Sequence, residues 1–375
     1  MILLLQTPKI AVFTNKDNYN NIVYGRALKY AGFVPAYTGH ADALQQLKKL
    51  VADGYSLAIF PEGHRSDDGK IRRFHKGAFY LAQKLNLEII PMVIFGPNEL
   101  LKKSELFLKR GKITVKIHPR LNISGDKWGA DLREKKYNIQ QWFRDEYAKQ
   151  KQQEETTAYL SDFIKKNYIY KGPVLEWYTK IKIKLEDNYE FFDKTIPRKA
   201  VITDLGCGYG YLDFMLSMRA EERTIRGFDY DDEKIKTAAN CAIATGNLSF
   251  KQADITKLEF ESSDVFILND VLHYIPEQQQ KQVVQQCMNK LNDNGLIIIR
   301  DGNKELSKRH KGTKLTELFS TKSGFNKAEH KLEFISESMI KNLVDATKFD
   351  FEVVDNTRLT SNIVIIIRKK QNNHG

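Results

Sequence analysis

Three alternating glycines, Gly206, Gly208 and Gly210, follow an apolar stretch that runs from Ala200 to Asp204. A buried strand that ends in such a loop makes room for a nucleotide-like cofactor, because glycine lets the backbone turn sharply and approach a ligand closely. The spacing narrows the choice. A dinucleotide loop reads GxGxxG, whereas here the third glycine comes one residue early and the dinucleotide position holds Tyr211. A second cluster, Glu62-Gly63-His64-Arg65-Ser66, closes another apolar stretch. That turn suits a phosphate: Gly63 permits close backbone approach, Arg65 offers a planar fork to phosphate oxygens, and Lys76 adds a point charge nearby.

Further polar residues fall where the glycine loop would need them. Asp229 ends the next apolar run, twenty-five residues after Asp204. An acid there can accept from two neighbouring ribose hydroxyls. Asp254 follows Leu248–Ala253 and is placed to meet the exocyclic amine of an adenine. Next come Asn269-Asp270 and His273-Tyr274, at the carboxyl edge where such sheets bind ligands. His273 has the side chain best suited to a general base near neutral pH, and its alternative is to pack over the cofactor.

These residues need two α/β layers to position them. In residues 9–120, strands are expected at Ile10–Thr14, Ser56–Phe60, Ile89–Phe95 and Ile113–Ile117, with helices at Asn21–Ala31, Ala41–Asp53 and His75–Leu85. Residues 138–168 are polar and helical in pattern, and read as a connector. From about 198 the alternation restarts. Strands are expected at Ala200–Asp204, Thr224–Phe228, Leu248–Gln252, Val265–Asn269, Leu296–Arg300, Phe351–Asp355 and Ile363–Arg368, with helices at Asp232–Ala244 and Gln278–Leu291. The turn Leu291–Gly295 precedes the fifth of these strands. The expected division is 1–148, a helical connector over 149–197, and 198–375.

Bulk properties agree with two domains in 375 residues. The net charge of +12 suits an anionic partner such as a membrane surface, a nucleic acid or a phosphorylated substrate, though the basic residues are scattered. Three cysteines without CxxC spacing argue against a zinc site or a disulfide framework and for a reducing compartment. No apolar run reaches the ~20 residues of a membrane-spanning helix.

The GxGxG loop, with Asp204 before it and Asp229 and Asp254 at successive strand ends, resembles class I S-adenosylmethionine (SAM)-dependent methyltransferases throughout residues 200–301. The resemblance implies a Rossmann-like, seven-stranded domain with SAM as cofactor. It implies that Asp204, Gly206, Cys207, Gly208 and Gly210 shape the methionine end, Asp229 the ribose and Asp254 the adenine, with Asn269 also in the site. Asn269-Asp270 is not the Asn-Pro-Pro-Tyr type used on nucleic-acid amines, so no nucleic acid is expected.

Phe60-Pro61-Glu62-Gly63-His64-Arg65-Ser66, with Phe74-His75-Lys76-Gly77-Ala78 and Ile89-Ile90-Pro91-Met92-Val93, resembles the glycerophosphate (lysophosphatidic acid type) acyltransferase family over about residues 1–120. His64 stands where that family has Thr. The resemblance implies acyl-CoA or acyl carrier protein as donor and a glycerolipid-like acceptor, with Glu62, Gly63, Arg65, Ser66 and Lys76 at the acceptor's phosphate. The family's His-x4-Asp catalytic motif is not found: none of the eight histidines has Asp five positions later. The matching family segment would place it before Met1, so the chain is expected to be a fragment or to carry a non-catalytic acyltransferase-like domain. His64 and His75 are poor substitute bases, since no carboxylate partner is specified.

An acyltransferase-like half before a methyltransferase half is similar to fused lipid or aryl-polyene (flexirubin-type) tailoring enzymes of Gram-negative bacteria. That similarity implies a cytoplasmic protein peripheral to the inner membrane. Two alternatives remain at this stage: a methyltransferase with a lipid- or carrier-binding module, and an NAD-dependent oxidoreductase, which the glycine spacing disfavours.

Overall fold

The computed structural model describes residues 9–14, 19–22, 25–30, 33–35, 41–66, 68–101, 111–168, 171–186, 188–305, 332–354 and 362–371. The chain divides into two compact units, Met1–Glu154 and Glu155–Gly375. No helix among the described residues is long and apolar enough to cross a membrane.

In the first unit, β1 (Ile10–Thr14) lies between β2 (Phe33–Pro35) and β3 (Ser56–Ala58), all parallel, while β4 (Met92–Phe95) and β5 (Thr114–Ile117) pair antiparallel. The helices are α1 (Gly25–Tyr30), α2 (Ala41–Ala52), α3 (Gly77–Lys84), α4 (Pro97–Leu100) and α5 (Leu132–Glu154). The third expected strand begins late, at Met92, because Pro91 has no N–H to give a ladder; Ile89 makes only an isolated bridge to Leu121. The strand expected over Ser56–Phe60 stops at Ala58, and Gly63 N–H turns back onto the Phe60 carbonyl. Strand β2 was not expected: three residues are too short to show alternation. Phe74, Phe79, Ala82, Ile123 and Ile139 form the small core.

The second unit is built on one seven-stranded sheet. Its strands are β6 (Ala200–Leu205), β7 (Arg223–Asp229), β8 (Leu248–Gln252), β9 (Ser263–Asn269), β10 (Leu291–Gly302), β11 (Phe349–Val354) and β12 (Asn362–Lys369), in the order β11-β12-β10-β9-β6-β7-β8. β12 is antiparallel to both its neighbours, and the remaining pairings are parallel. The chain winds outward from β6 to β8, then returns to the other side with β9. The carboxyl ends of β6 and β9 therefore flank a topological switch point, where doubly wound sheets bind ligands.

Strands covered on both faces are continuously apolar, and β10 and β12 show why. Ile298 and Ile366 enter the core on one face, Ile297, Ile299, Ile365 and Ile367 the core on the other. The first face is covered by α6 (Thr157–Tyr168), α7 (Pro173–Leu185), α8 (Tyr189–Thr195) and α9 (Tyr211–Arg219), through Ile164, Tyr178, Phe192 and Phe214. Helix α10 (Asp232–Ala239) follows β7. The second face is covered by α11 (Glu277–Lys290) and α12 (Glu337–Leu343), through Val284, Cys287 and Ile340. Residues 157–195, read from sequence as connecting helices, thus bury apolar side chains against this sheet. Helix α10 ends five residues before the expected Ala244: beyond it the Cys241 N–H bonds the Ala238 carbonyl and the Ala244 N–H the Cys241 carbonyl, tighter turns than an α-helix makes.

Candidate functional site

The glycine loop is built by backbone geometry that only glycine adopts cheaply. Gly206, Gly208 and Gly210 have φ of +87°, +57° and +75°. A Cβ at Gly206 would lie 2.4 Å from Val271 Cγ2, and one at Gly210 would lie 2.8 Å from the Phe250 ring. At Gly208 a Cβ would meet nothing within 4 Å. Two of the three glycines therefore serve close packing, and the middle one faces open space.

Asp229 fastens this loop. One carboxylate oxygen accepts the Gly208 N–H at 2.8 Å and the other accepts the Asp231 N–H at 2.8 Å. Gly206 and Cys207 both donate to the Phe228 carbonyl, at 2.7 and 2.9 Å. The ends of β6 and β7 are thus locked together, and each Asp229 oxygen keeps a lone pair for another donor.

Asp204 is the last residue but one of β6, 2% exposed. Its cross-strand neighbour on β7 is Gly227, against which lies the carboxyl group of Asp213, a fully buried residue in the first turn of α9. Burial, then the charge of Asp213, pushes Asp204 far above the usual carboxylate range. Burial also pushes up the Cys207 thiol, which is therefore a poor nucleophile. Asn269, at the end of β9, has a side-chain oxygen that is buried without a hydrogen-bond partner, as a site awaiting a donor would show.

Asp254 is differently placed. One oxygen accepts from Thr256 N–H at 3.0 Å and Thr256 Oγ1 at 2.7 Å, and the other meets exposed Lys257 at 3.0 Å. Despite partial burial, those hydrogen bonds hold its carboxyl below the usual range. The side chain caps its own turn.

His273 lies in the short helix after β9, 2% exposed. Its Nδ1 is 2.6 Å from Asp301 Oδ1, and its backbone N–H reaches Asp301 Oδ2 at 3.3 Å. Asp301 is at the carboxyl edge of β10, fully buried, and also accepts Gly302 N–H at 2.7 Å. Beside it, Asp270 adopts φ +54°, rare for a residue with a side chain. Arg300 and Asn362 donate to Asp270 at 2.6 and 3.1 Å, and Lys182 lies at 3.7 Å. Burial opposes ionisation of Asp270, but Arg300 and Lys182 outweigh it. The sequence reading did not single out Asp213, Asp301 or Arg300 as site residues. The available signal was an acid ending the apolar run Leu296–Arg300, the feature that singled out Asp229.

In the first unit, Glu62 accepts the Arg72 N–H at 2.7 Å, and its carboxyl is raised chiefly by burial. His75 N–H donates to the Pro61 carbonyl at 2.7 Å. Gly63 has φ +75°, and a Cβ there would meet the His75 ring at 3.3 Å. The His64 and His75 rings lie 6.3 Å apart, centre to centre. Arg65 is exposed and donates to the Leu101 carbonyl at 3.3 Å. Lys76 is exposed just before α3, and Ser66 is half-buried in the same loop.

Comparison with known families adds to this geometry. Residues 197–357 match the model described as a methyltransferase domain, and residues 1–95 the model described as an acyltransferase. The match to a methyltransferase domain thus follows, along the chain, the match to an acyltransferase. The chain is 36% identical over 101 residues to the chloroplastic 1-acyl-sn-glycerol-3-phosphate acyltransferase BAT2 of Brassica napus, covering 26% of this chain and 29% of that protein. It is 29% identical over 115 residues to the carboxy-S-adenosyl-L-methionine synthase of Campylobacter concisus, covering 30% of this chain and 49% of that one. The chain thus spans less than a third of the length of the first of these relatives and about half of the second. Among solved structures, magnesium protoporphyrin IX methyltransferase from Synechocystis, with bound SAH, superposes with a TM-score of 0.38 at 17% identity, over 50% of this chain and 82% of that one.

Proposed function

We propose that the second unit binds SAM and transfers its methyl group to a small-molecule or lipid-like acceptor. The observation that carries this reading is the Gly208–Asp229 hydrogen bond, inside a loop whose middle glycine faces open space at the switch point. The residues present fit the cofactor. Asp204, Gly206, Cys207, Gly208, Gly210 and Asn269 would hold its methionine end and Asp229 its ribose; Asp254 would reach the adenine only by leaving its own turn.

When bound, SAM supplies an electrophilic methyl on a sulfonium, so the reaction is a displacement that depends on alignment. The chain's own task is to hold the acceptor in line and to remove its proton. His273, with Nδ1 held by Asp301, is oriented to take that proton at Nε2. The carboxylate fixes ring and tautomer and stabilises the charge that forms.

For the first unit the proposal is a glycerolipid-like ligand whose phosphate meets Gly63, Arg65, Ser66 and Lys76, with Glu62 shaping the turn and an acyl thioester as co-substrate. Without a His-x4-Asp motif in this sequence, a binding module serving the methyltransferase is the second reading. The excess of basic residues supports work at an anionic membrane surface, on the cytoplasmic side.

Calorimetric titration of the purified chain with SAM and with NAD tests the central claim. Binding of SAM alone is expected; binding of NAD without SAM would replace the proposal by an oxidoreductase.

A further inference from the structure

The second unit buries two carboxyl groups near one another: Asp204 pairs across the sheet with Gly227, and the Asp213 carboxyl group lies against Gly227. Asp213 is fully buried, and neither of its oxygens receives an N–H or hydroxyl donor. Room for it comes from Gly227 on β7: a Cβ there would lie 2.9 Å from Asp213 Oδ2 and 2.9 Å from Cys207 Sγ. Two carboxylates so close together and away from water cannot both be ionised cheaply, so the pair keeps one proton. Burial raises both carboxyl groups above the usual carboxylate range.

The other groups facing this pair reinforce that state. Asp229 approaches from β7 and Glu186 from the end of α7, both acidic, with the Cys207 thiol in the loop and the Tyr168 hydroxyl from α6. The nearby lysines have other partners. Lys182 is 2.8 Å from Glu186 and 3.7 Å from Asp270, and Lys234 lies by Asp229 and Asp231. The pair therefore sits in a field that favours an added positive charge.

On the reading that this site binds SAM, the ligand's charge changes in the reaction. The donor carries a sulfonium, an ammonium and a carboxylate, net +1. The product S-adenosylhomocysteine is a thioether of net zero. We propose that the proton shared by Asp204 and Asp213 leaves to solvent when the cationic donor binds and returns from solvent once the neutral product has formed, so that this pair distinguishes donor from product by charge. No bond to carbon changes in this step, and the acceptor's own proton is handled separately at His273. Asp213 is then a specificity-determining residue of the cofactor site.

Titrations of the whole chain with SAM, S-adenosylhomocysteine and sinefungin, in buffers of different ionisation enthalpy, count the protons released. SAM and sinefungin, which carries an ammonium in place of the sulfonium, are expected to release up to one proton near neutral pH, and the product clearly fewer. The ratio of product Kd to donor Kd should rise with pH, approaching ~10-fold per unit where the difference is one full proton. Asp213→Asn should flatten that ratio, but the wild-type proton counts decide the matter even if this variant does not fold. Equal proton release for SAM and its product overturns the proposal while leaving the cofactor reading intact. Binding of none of the three ligands overturns the cofactor reading itself.

Discussion

His273 and Asp301 meet with Nδ1 and Oδ1 at 2.6 Å, each side chain all but excluded from solvent. They are twenty-eight residues apart, on the carboxyl edges of two adjacent parallel strands. This contact would hold the ring of the proposed base in one orientation and tautomer. If His273 takes the acceptor's proton, His273→Gln and Asp301→Asn should each slow methyl transfer on the order of 10²-fold. Titration should find donor affinity unchanged in both. A parallel loss of rate and donor binding would assign His273 to packing over the cofactor.

The loop glycines predict two different defects. Gly206→Ala places a methyl on Val271 at a positive φ, and should cost ~2–4 kcal/mol in urea unfolding. Gly208→Ala pays ~1–2 kcal/mol for its left-handed backbone, but its methyl enters open space. That variant should fold and bind SAM weakly. Full SAM affinity in Gly208→Ala would mean that the space beside Gly208 is not the ligand's.

Asp193 anchors α8 to the sheet. It accepts from Arg223 Nη1 at 2.7 Å and Arg219 Nε at 2.8 Å, with Arg223 fully buried. Burial raises its carboxyl, but the hydrogen bonds of the two arginines outweigh that and leave it lowered. A group depressed in the folded state stabilises the fold above its unfolded value of ~3.9 and loses that contribution as pH falls through the folded value. Urea unfolding of wild type should therefore weaken below about pH 4. Asp193→Asn should lower stability at pH 7, by about 3 kcal/mol since Arg223 loses its ionic partner, and should show a shallower decline in acid. An unaltered acid slope would count against this pair as its source.

Arg65 makes a case in the first unit. It is exposed, and its long hydrogen bond to the Leu101 carbonyl contributes little to folding. Arg65→Ala should leave thermal unfolding unchanged. It should also weaken binding of glycerol 3-phosphate or a short-chain lysophosphatidate by ~1.5–3 kcal/mol, the worth of a charged hydrogen bond. Equal affinity in the two proteins would reduce Arg65 to a loop-closing residue.

The sheet was legible because strands buried on both faces must be apolar throughout, as Ile297–Ile299 and Ile363–Ile367 are. The acid and glycine spacing around β6 and β7 was legible for a related reason: the loop's backbone demands glycine whatever the surrounding sequence. Pairings across strands were not legible. Nothing local ties His273 to Asp301, or makes room for Asp213 against Gly227, since both depend on strand register. Asp254 shows the converse. An Asp with Thr two positions on closes an Asx turn, and in sequence it looks the same as an acid aimed at a ligand.

Asp229 and Asp254 therefore make a matched test. Asp229 ends β7 and Asp254 lies two residues beyond β8, and the family resemblance gives both to the cofactor. The Asp229 carboxylate holds the Gly208 amide within the loop, whereas that of Asp254 is committed to Thr256 and Lys257. Asp229→Ala should weaken SAM binding by ~1–3 kcal/mol, through the lost ribose partner and the loosened loop. Asp254→Ala should cost ~0.5–1 kcal/mol of stability, as lost caps do, and change SAM affinity by less than Asp229→Ala does. Titration of both variants with SAM, alongside urea unfolding, measures each term. A larger affinity loss at Asp254 than at Asp229 would show that Asp254 leaves its turn when the cofactor binds, and would return it to the adenine.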